Sequence, residues 1–146
     1  MKQIIIFIFI SMLALMACQD VKIGYLRVEN AEYYPDTIII RTKLITAEEN
    51  PKVNDQNRID NNAPWVTNII SGLLGTEPLQ YEFVSVKVSE GGDADLFAKE
   101  IVVRGCGQMQ LPLKPTAPKG RYLVTLKVSN DGYSAVLPDI FTFIIE

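Results

Sequence analysis

Trp65 lies a few positions after Asp60, Asn61 and Asn62, and this grouping has a ready chemistry for a sugar. An indole face stacks on the apolar face of a sugar ring while carboxylate and amide groups bond its hydroxyls. An indole inside an apolar run is also an ordinary core residue, so both readings of Trp65 stand at the level of sequence. Tyr33 and Tyr34, ahead of Pro35, offer a second exposed aromatic pair for binding. "EGGDAD" (90–95) and "NDQNRIDNN" (54–62) carry oxygen ligands at spacings a calcium ion can use. Neither completes the twelve-residue hand with its terminal Glu, so solvated turns are the plainer reading and no metal is assigned. A glycosidase needs two carboxylates roughly 5–9.5 Å apart, and Asp60 with Glu90 or Asp93 are the candidates, although sequence sets no distance between them. Cys106, in "RGCGQ", would need a base to become a nucleophile, and the chain has no histidine. Its flanking glycines suggest a tight turn or bulge, and the expectation is an inert, partly buried thiol. The absence of histidine also removes the Ser/His/Asp and Cys/His systems and the commonest zinc ligand. No catalytic residue and no cofactor is assigned on these grounds.

The second cysteine, Cys18, sits where an apolar leader stops. Lys2 supplies a positive start, residues 4–10 read IIIFIFI, and MLALMA continues to Ala17. The run has the length of a secretory apolar region and falls short of the roughly 20 residues of a spanning helix, so it reads as an export signal. Leu15-Met16-Ala17-Cys18 resembles the lipobox of bacterial lipoproteins. That resemblance implies cleavage before Cys18 and acylation of its sulfur and new amino group. The chain then divides into a leader at 1–17, an acylated tether at 18–20 and a domain at 21–146. Several acyl chains make such an anchor durable where one is marginal. The alternatives are that Cys18 is an ordinary residue or pairs with Cys106 in a disulfide. Gln19-Asp20, with one acidic residue, leaves periplasmic and surface-facing placements of the envelope protein both open, with the outer membrane the expected address.

Beyond the leader, residues 18–146 make one domain with enough chain for a real core. Removing the leader takes Lys2 from the 14 basic residues set against 17 acidic ones, so the mature chain is net acidic. That disfavours nucleic acid as a partner.

The elements that must position these residues follow a period of two. "TIIIRTKLIT" (37–46) sets Ile38, Ile40 and Leu44 against Arg41 and Lys43; "EFVSVKVS" (82–89) sets Val84, Val86 and Val88 against Ser85, Lys87 and Ser89. "RYLVTLKVSN" (121–130) sets Tyr122, Val124, Leu126 and Val128 against Thr125, Lys127 and Ser129. Shorter predicted strands are 21–28, 99–105, 108–113 and 139–146, separated by "YYPD", "EGGDAD", "KPTAPKG" and "NDG" turns. The pattern predicts an all-β fold, an antiparallel sandwich of about seven strands. Residues 47–62 read as one long polar loop, functional or disordered. In "APWVTNIISGLLGTEP" (63–78), Asn62 is a possible cap for a helix with Trp65, Ile69 and Leu73 on one face; an extended crossover fits nearly as well.

"PKGRYLVTLKVSNDGYSAVLPDIFTFIIE" (118–146) resembles the last two strands of immunoglobulin-like, PKD-like and cadherin-like modules of Bacteroidetes-type surface lipoproteins, through Pro118, Gly120, Tyr122, Val124, Leu126, Val128, Asn130 and Gly132. "GQMQLPL" (107–113) matches the strand before them. The resemblance implies an immunoglobulin-like sandwich in which Tyr122 is structural, its hydroxyl tying a turn to the backbone as in a tyrosine corner. It also implies a non-catalytic binding or scaffolding protein, held to the membrane through Cys18, whose target is a polysaccharide or a neighbouring outer-membrane uptake protein. A structural subunit engaging a protein partner through strand edges is the alternative, and a carboxylate-dependent hydrolase the third class.

Overall fold

The computed structural model describes residues 24–146. The expected leader, Cys18, the expected tether and the first residues of the strand predicted at 21–28 lie outside them. In chain order the elements are β1 Leu26–Arg27, β2 Thr37–Ile40, α1 Gln56–Asp60, β3 Trp65–Val66, β4 Leu74–Gly75, β5 Gln80–Ser89, α2 Ala94–Glu100, β6 Val102–Val103, β7 Met109–Leu111, β8 Gly120–Ser129 and β9 Ser134–Ile145. The fold is mostly β, consistent with an all-β sandwich. One sheet has the order β2-β9-β8-β5, a second β3-β7-β6, and β1 pairs with β4 in a separate ribbon. Seven strands therefore make up the two larger sheets. Their pairings are antiparallel except one: β2 runs parallel to β9, from Thr37 opposite Thr142 to Ile40 opposite Ile145.

The strongest alternation in the sequence builds the centre of the sheet. Tyr122, Val124, Leu126 and Val128 of β8 are all fully buried, and Phe141, Phe143 and Ile145 of β9 face the same core. Trp65, Met109 and Leu111 join them from the second sheet. A rigid aromatic group ties the layers together: Phe97 of α2 stacks on Tyr122 with ring centroids 4.5 Å apart and meets Phe143 edge-on.

Elsewhere tertiary pairing overrides the local pattern. On β5 the register shifts between Phe83 and Ser85, so Tyr81 and Phe83 turn inward and Val84 stands outside, 48 % exposed. A bulge inserts one residue and flips the face of what precedes it, which is why Val84 leaves the line of Val86 and Val88. β9 is irregular at the same level, with Phe141 opposite Val124 but Leu137 opposite Leu126. Pro138 has no N–H for the ladder, and the Asp139 N–H donates to Thr125 Oγ1 at 3.2 Å. The strand predicted over 37–46 stops at Ile40, because its partner β9 ends at Ile145.

Helix placement differs as well. Residues 63–78 are extended, with Trp65 paired to Leu111 and the Thr67 N–H donating to Met109 O, so the strand partner β7 decides against the helix reading. Part of the predicted strand 99–105 is instead α2, whose first turn is capped by Asp93: its carboxylate accepts from the Asp95 and Leu96 N–H groups. That carboxylate, read from sequence as a possible calcium ligand, serves a helix start. Gly72, at φ +74°, lies so close to Asn30 O that a Cβ would stand 1.7 Å from it, and this approach carries the bridge between Glu32 and Ser71.

Candidate functional site

The polar segment 47–62 is organised around one carboxylate. Asp55 is buried; Oδ1 accepts from Arg41 Nη2 at 2.6 Å and Oδ2 from the Ile45 N–H at 3.0 Å, while its own N–H donates to Ile45 O. Asn50 Oδ1 accepts from the Lys52 and Val53 N–H groups and turns the chain between them. The Ile45 N–H, then the hydrogen bond and charge of Arg41 and the charge of Arg58, hold the Asp55 carboxyl below its ordinary range against the opposing effect of burial. A depressed carboxyl stabilises the fold above its unfolded pKa, about 3.9, and that contribution is lost as pH falls through the folded value. Asp55→Asn is expected to cost about 1–2 kcal/mol at pH 7, the partial exposure of Arg41 limiting the figure. In urea titrations the gap between mutant and wild type should close below the ordinary carboxylate range. A gap unchanged at pH 3 would show that Asp55 does not act through its charge.

The loop delivers α1 against Trp65. The indole is 5 % exposed, and its Nε1–H donates to Leu113 O at 3.1 Å. The Arg58 guanidinium lies over the ring at 4.2 Å, with Arg41 at 6.0 Å, and Arg58 Nη1 donates to Pro64 O. A sugar platform needs an open ring face; this one is covered by a cation held in place. Asp60, Asn61 and Asn62 are exposed, but their groups serve the local turn: Asp60 accepts from Gln56 Nε2, Asn61 Nδ2 donates to Asn57 O, and Asn62 takes a left-handed φ of +46°. The structure thus keeps the four residues close along the chain without offering the indole to a ligand.

The tyrosine pair is split by function. Tyr33 is buried, its hydroxyl donating to Gly107 O and its ring edge-on to Phe141 at 5.1 Å. Tyr34 is 86 % exposed, followed by a cis bond to Pro35, and its carbonyl accepts from Asn68 Nδ2 at 2.7 Å. One tyrosine anchors the segment and the next presents an exposed ring, which is a workable sugar contact.

Tyr122 is fully buried; its hydroxyl donates to Pro118 O at 2.6 Å and accepts from the Asp93 N–H at 3.2 Å. Burial raises its pKa. Cys106 differs from the expectation of partial burial: it is exposed, at φ +59° in the turn Gly105–Gly107, which passes through open space at Gly105 and returns inward at the buried Gly107, whose carbonyl meets Tyr33. Among the described residues no three His, Cys, Asp or Glu side chains stand together as a metal set, and no helix is long and apolar enough to cross a membrane.

An open depression of about 490 Å³ lies over the β8–β9 turn, lined by Ser129, Asn130, Asp131, Gly132, Tyr133 and Ser134. In the sequence, "NDG" reads as turn chemistry alone. The signal available there was Tyr133, an aromatic directly after a tight polar turn, where no strand face demands one.

Comparison of the chain with family models, with curated proteins and with solved structures finds no match.

Proposed function

We propose that this chain is an exported lipoprotein, anchored through Cys18 in the cell envelope at the outer membrane, whose β domain is a non-catalytic binding module for polysaccharide. The observation that carries this reading is the order along the chain: an apolar leader, the box Leu15-Met16-Ala17-Cys18, and a structured strand already at Leu26. A folded domain so near an acylated cysteine works at a membrane face. Support for binding over catalysis comes from the side chains themselves, since Asp60 and Asp93, two of the carboxylates considered for hydrolysis, serve fold contacts. Tyr34, beside Asn68, is the contact we assign to the sugar.

The finer fold reading is immunoglobulin-like. It is supported by the four-plus-three division of the strands and by the Tyr122 hydroxyl bonded to Pro118 O, four residues upstream. A protein partner that adds a strand is the second reading, favoured by β5, ten residues long and, among the described residues, paired only with β8. Its signature is a mass that rises with concentration.

Labelled palmitate should enter the wild type and not Cys18→Ser, and the variant should leave the membrane fraction; equal labelling of both would defeat the anchor. In native gels cast with a panel of polysaccharides, the folded wild type should be retarded and Tyr34→Ala should migrate freely. Retardation kept in full by Tyr34→Ala would move the sugar contact elsewhere.

A further inference from the structure

The chain enters the domain at one pole, and Asn130 fixes where. Its Nδ2 donates to Tyr25 O at 2.9 Å and to Thr76 O at 3.1 Å, while its Oδ1 accepts from the Gly132 and Tyr133 N–H groups. Tyr25 and Thr76 also exchange bonds: the Tyr25 N–H donates to Thr76 Oγ1 and the Thr76 N–H to Tyr25 O. One side chain thus clamps the first described residues onto the turn between β8 and β9.

Residues 18–24 span at most about 25 Å when fully extended, at roughly 3.3–3.6 Å per residue. β8 runs ten residues from Gly120 to Ser129, about 33 Å at strand rise. A tether leaving the Asn130 pole cannot cross the length of the sheet, so the opposite pole, at Gly120 and Lys119, cannot be the one seated on the bilayer.

The Asn130 pole has a surface suited to a lipid interface. Tyr25 is 51 % exposed, Leu74 56 % and Tyr133 38 %, and tyrosine is a residue that places an apolar ring and a polar tip at headgroup depth. Glu77 and Asp131 are exposed on the same pole and repel anionic headgroups.

We infer that this pole, through Tyr25, Leu74 and Tyr133, rests on a zwitterionic lipid surface and orients the domain on the membrane. The inference depends on the acylation of Cys18.

The test uses the acylated full-length chain in phosphatidylcholine vesicles, with Cys106→Ser as background and an environment-sensitive dye at Asp131→Cys or at Lys119→Cys. Flotation with the vesicles reads the anchor; quenching of the dye by headgroup-labelled lipid reads the orientation. Quenching several-fold greater at position 131 than at 119 is expected, falling to the level at 119 when Tyr25, Leu74 and Tyr133 are each changed to Ser, with flotation kept. Flotation with equal quenching at both positions, or with none at either, would overturn the orientation alone. A wild type that fails to float would overturn the anchor and the orientation with it.

Discussion

Trp65→Ala is expected to lower the unfolding free energy by about 3–5 kcal/mol, the range for removing a large buried aromatic. Several losses coincide at this position. The ring is almost wholly buried, so the substitution opens a cavity between β3 and α1. The Leu113 carbonyl loses the Nε1–H that bonds it, and a buried acceptor left unpaired costs about 1–3 kcal/mol. Arg58 loses the ring it covers at 4.2 Å and with it the register of the loop behind. Against a typical total of about 5–15 kcal/mol this is a large share, and the variant should show a lower urea midpoint by circular dichroism. Trp65 is also the one tryptophan of the chain, so wild-type fluorescence should be blue-shifted and poorly quenched by acrylamide until the fold opens. An unfolding curve for Trp65→Ala that overlays the wild type would return the indole to the surface. Tyr34→Ala, by contrast, truncates an exposed ring and should move stability by no more than about 0.5 kcal/mol.

Tyr122 supports an effect of similar size with a further dissection. Tyr122→Ala removes a fully buried ring that stacks on Phe97 at 4.5 Å and should cost about 3–5 kcal/mol. Tyr122→Phe keeps the stack and removes only the hydroxyl, which donates to Pro118 O and accepts from the Asp93 N–H; about 1–2 kcal/mol is expected. The two bonds join the start of β8 to the residue that caps α2, so hydrogen exchange in Ala94–Glu100 should quicken in Tyr122→Phe more than in β7. Uniform quickening, or none, would show that the hydroxyl does not hold α2 in place. Gly92 and Gly120 leave this arrangement its space: a Cβ on Gly92 would stand 2.8 Å from the Tyr122 hydroxyl, and one on Gly120 would stand 2.8 Å from Ser89 O.

The legible part of the fold is the part governed by neighbours in sequence. Alternation in 121–130 places Tyr122, Val124, Leu126 and Val128 inside because the pleat turns every second side chain to one face. The same rule misplaces Val84, since a bulge depends on the partner strand and not on the strand's own pattern. α2 had a local signal in Asp93 ahead of Ala94-Asp95-Leu96-Phe97, the pattern of an N-cap before an apolar turn. Glycines beside it and the apolar run after it drew the reading toward turn and strand.

Sites were less legible than elements. Sequence placed Trp65 beside Asp60, Asn61 and Asn62 and left its burial open; Arg58 over the ring and Leu113 at its Nε1 are tertiary facts. Tyr33 and Tyr34 are adjacent residues of one type, and only the Gly107 carbonyl, 74 positions away, decides which is buried and which is presented.

By itself the sequence determined a strand-rich, net acidic chain without histidine, and the order of apolar run, cysteine and alternating segments on which the anchor proposal stands. These follow from composition and from periodicities a few residues long. The tertiary structure alone decided the parallel seat of β2 on β9, the closure of the indole, the Asp55 staple and the pole at which the chain enters. The separations run from the 14 positions between Arg41 and Asp55 to the 105 between Tyr25 and Asn130. A local pattern carries no information about such a pair, because the bond forms only after the strands between them have found their register.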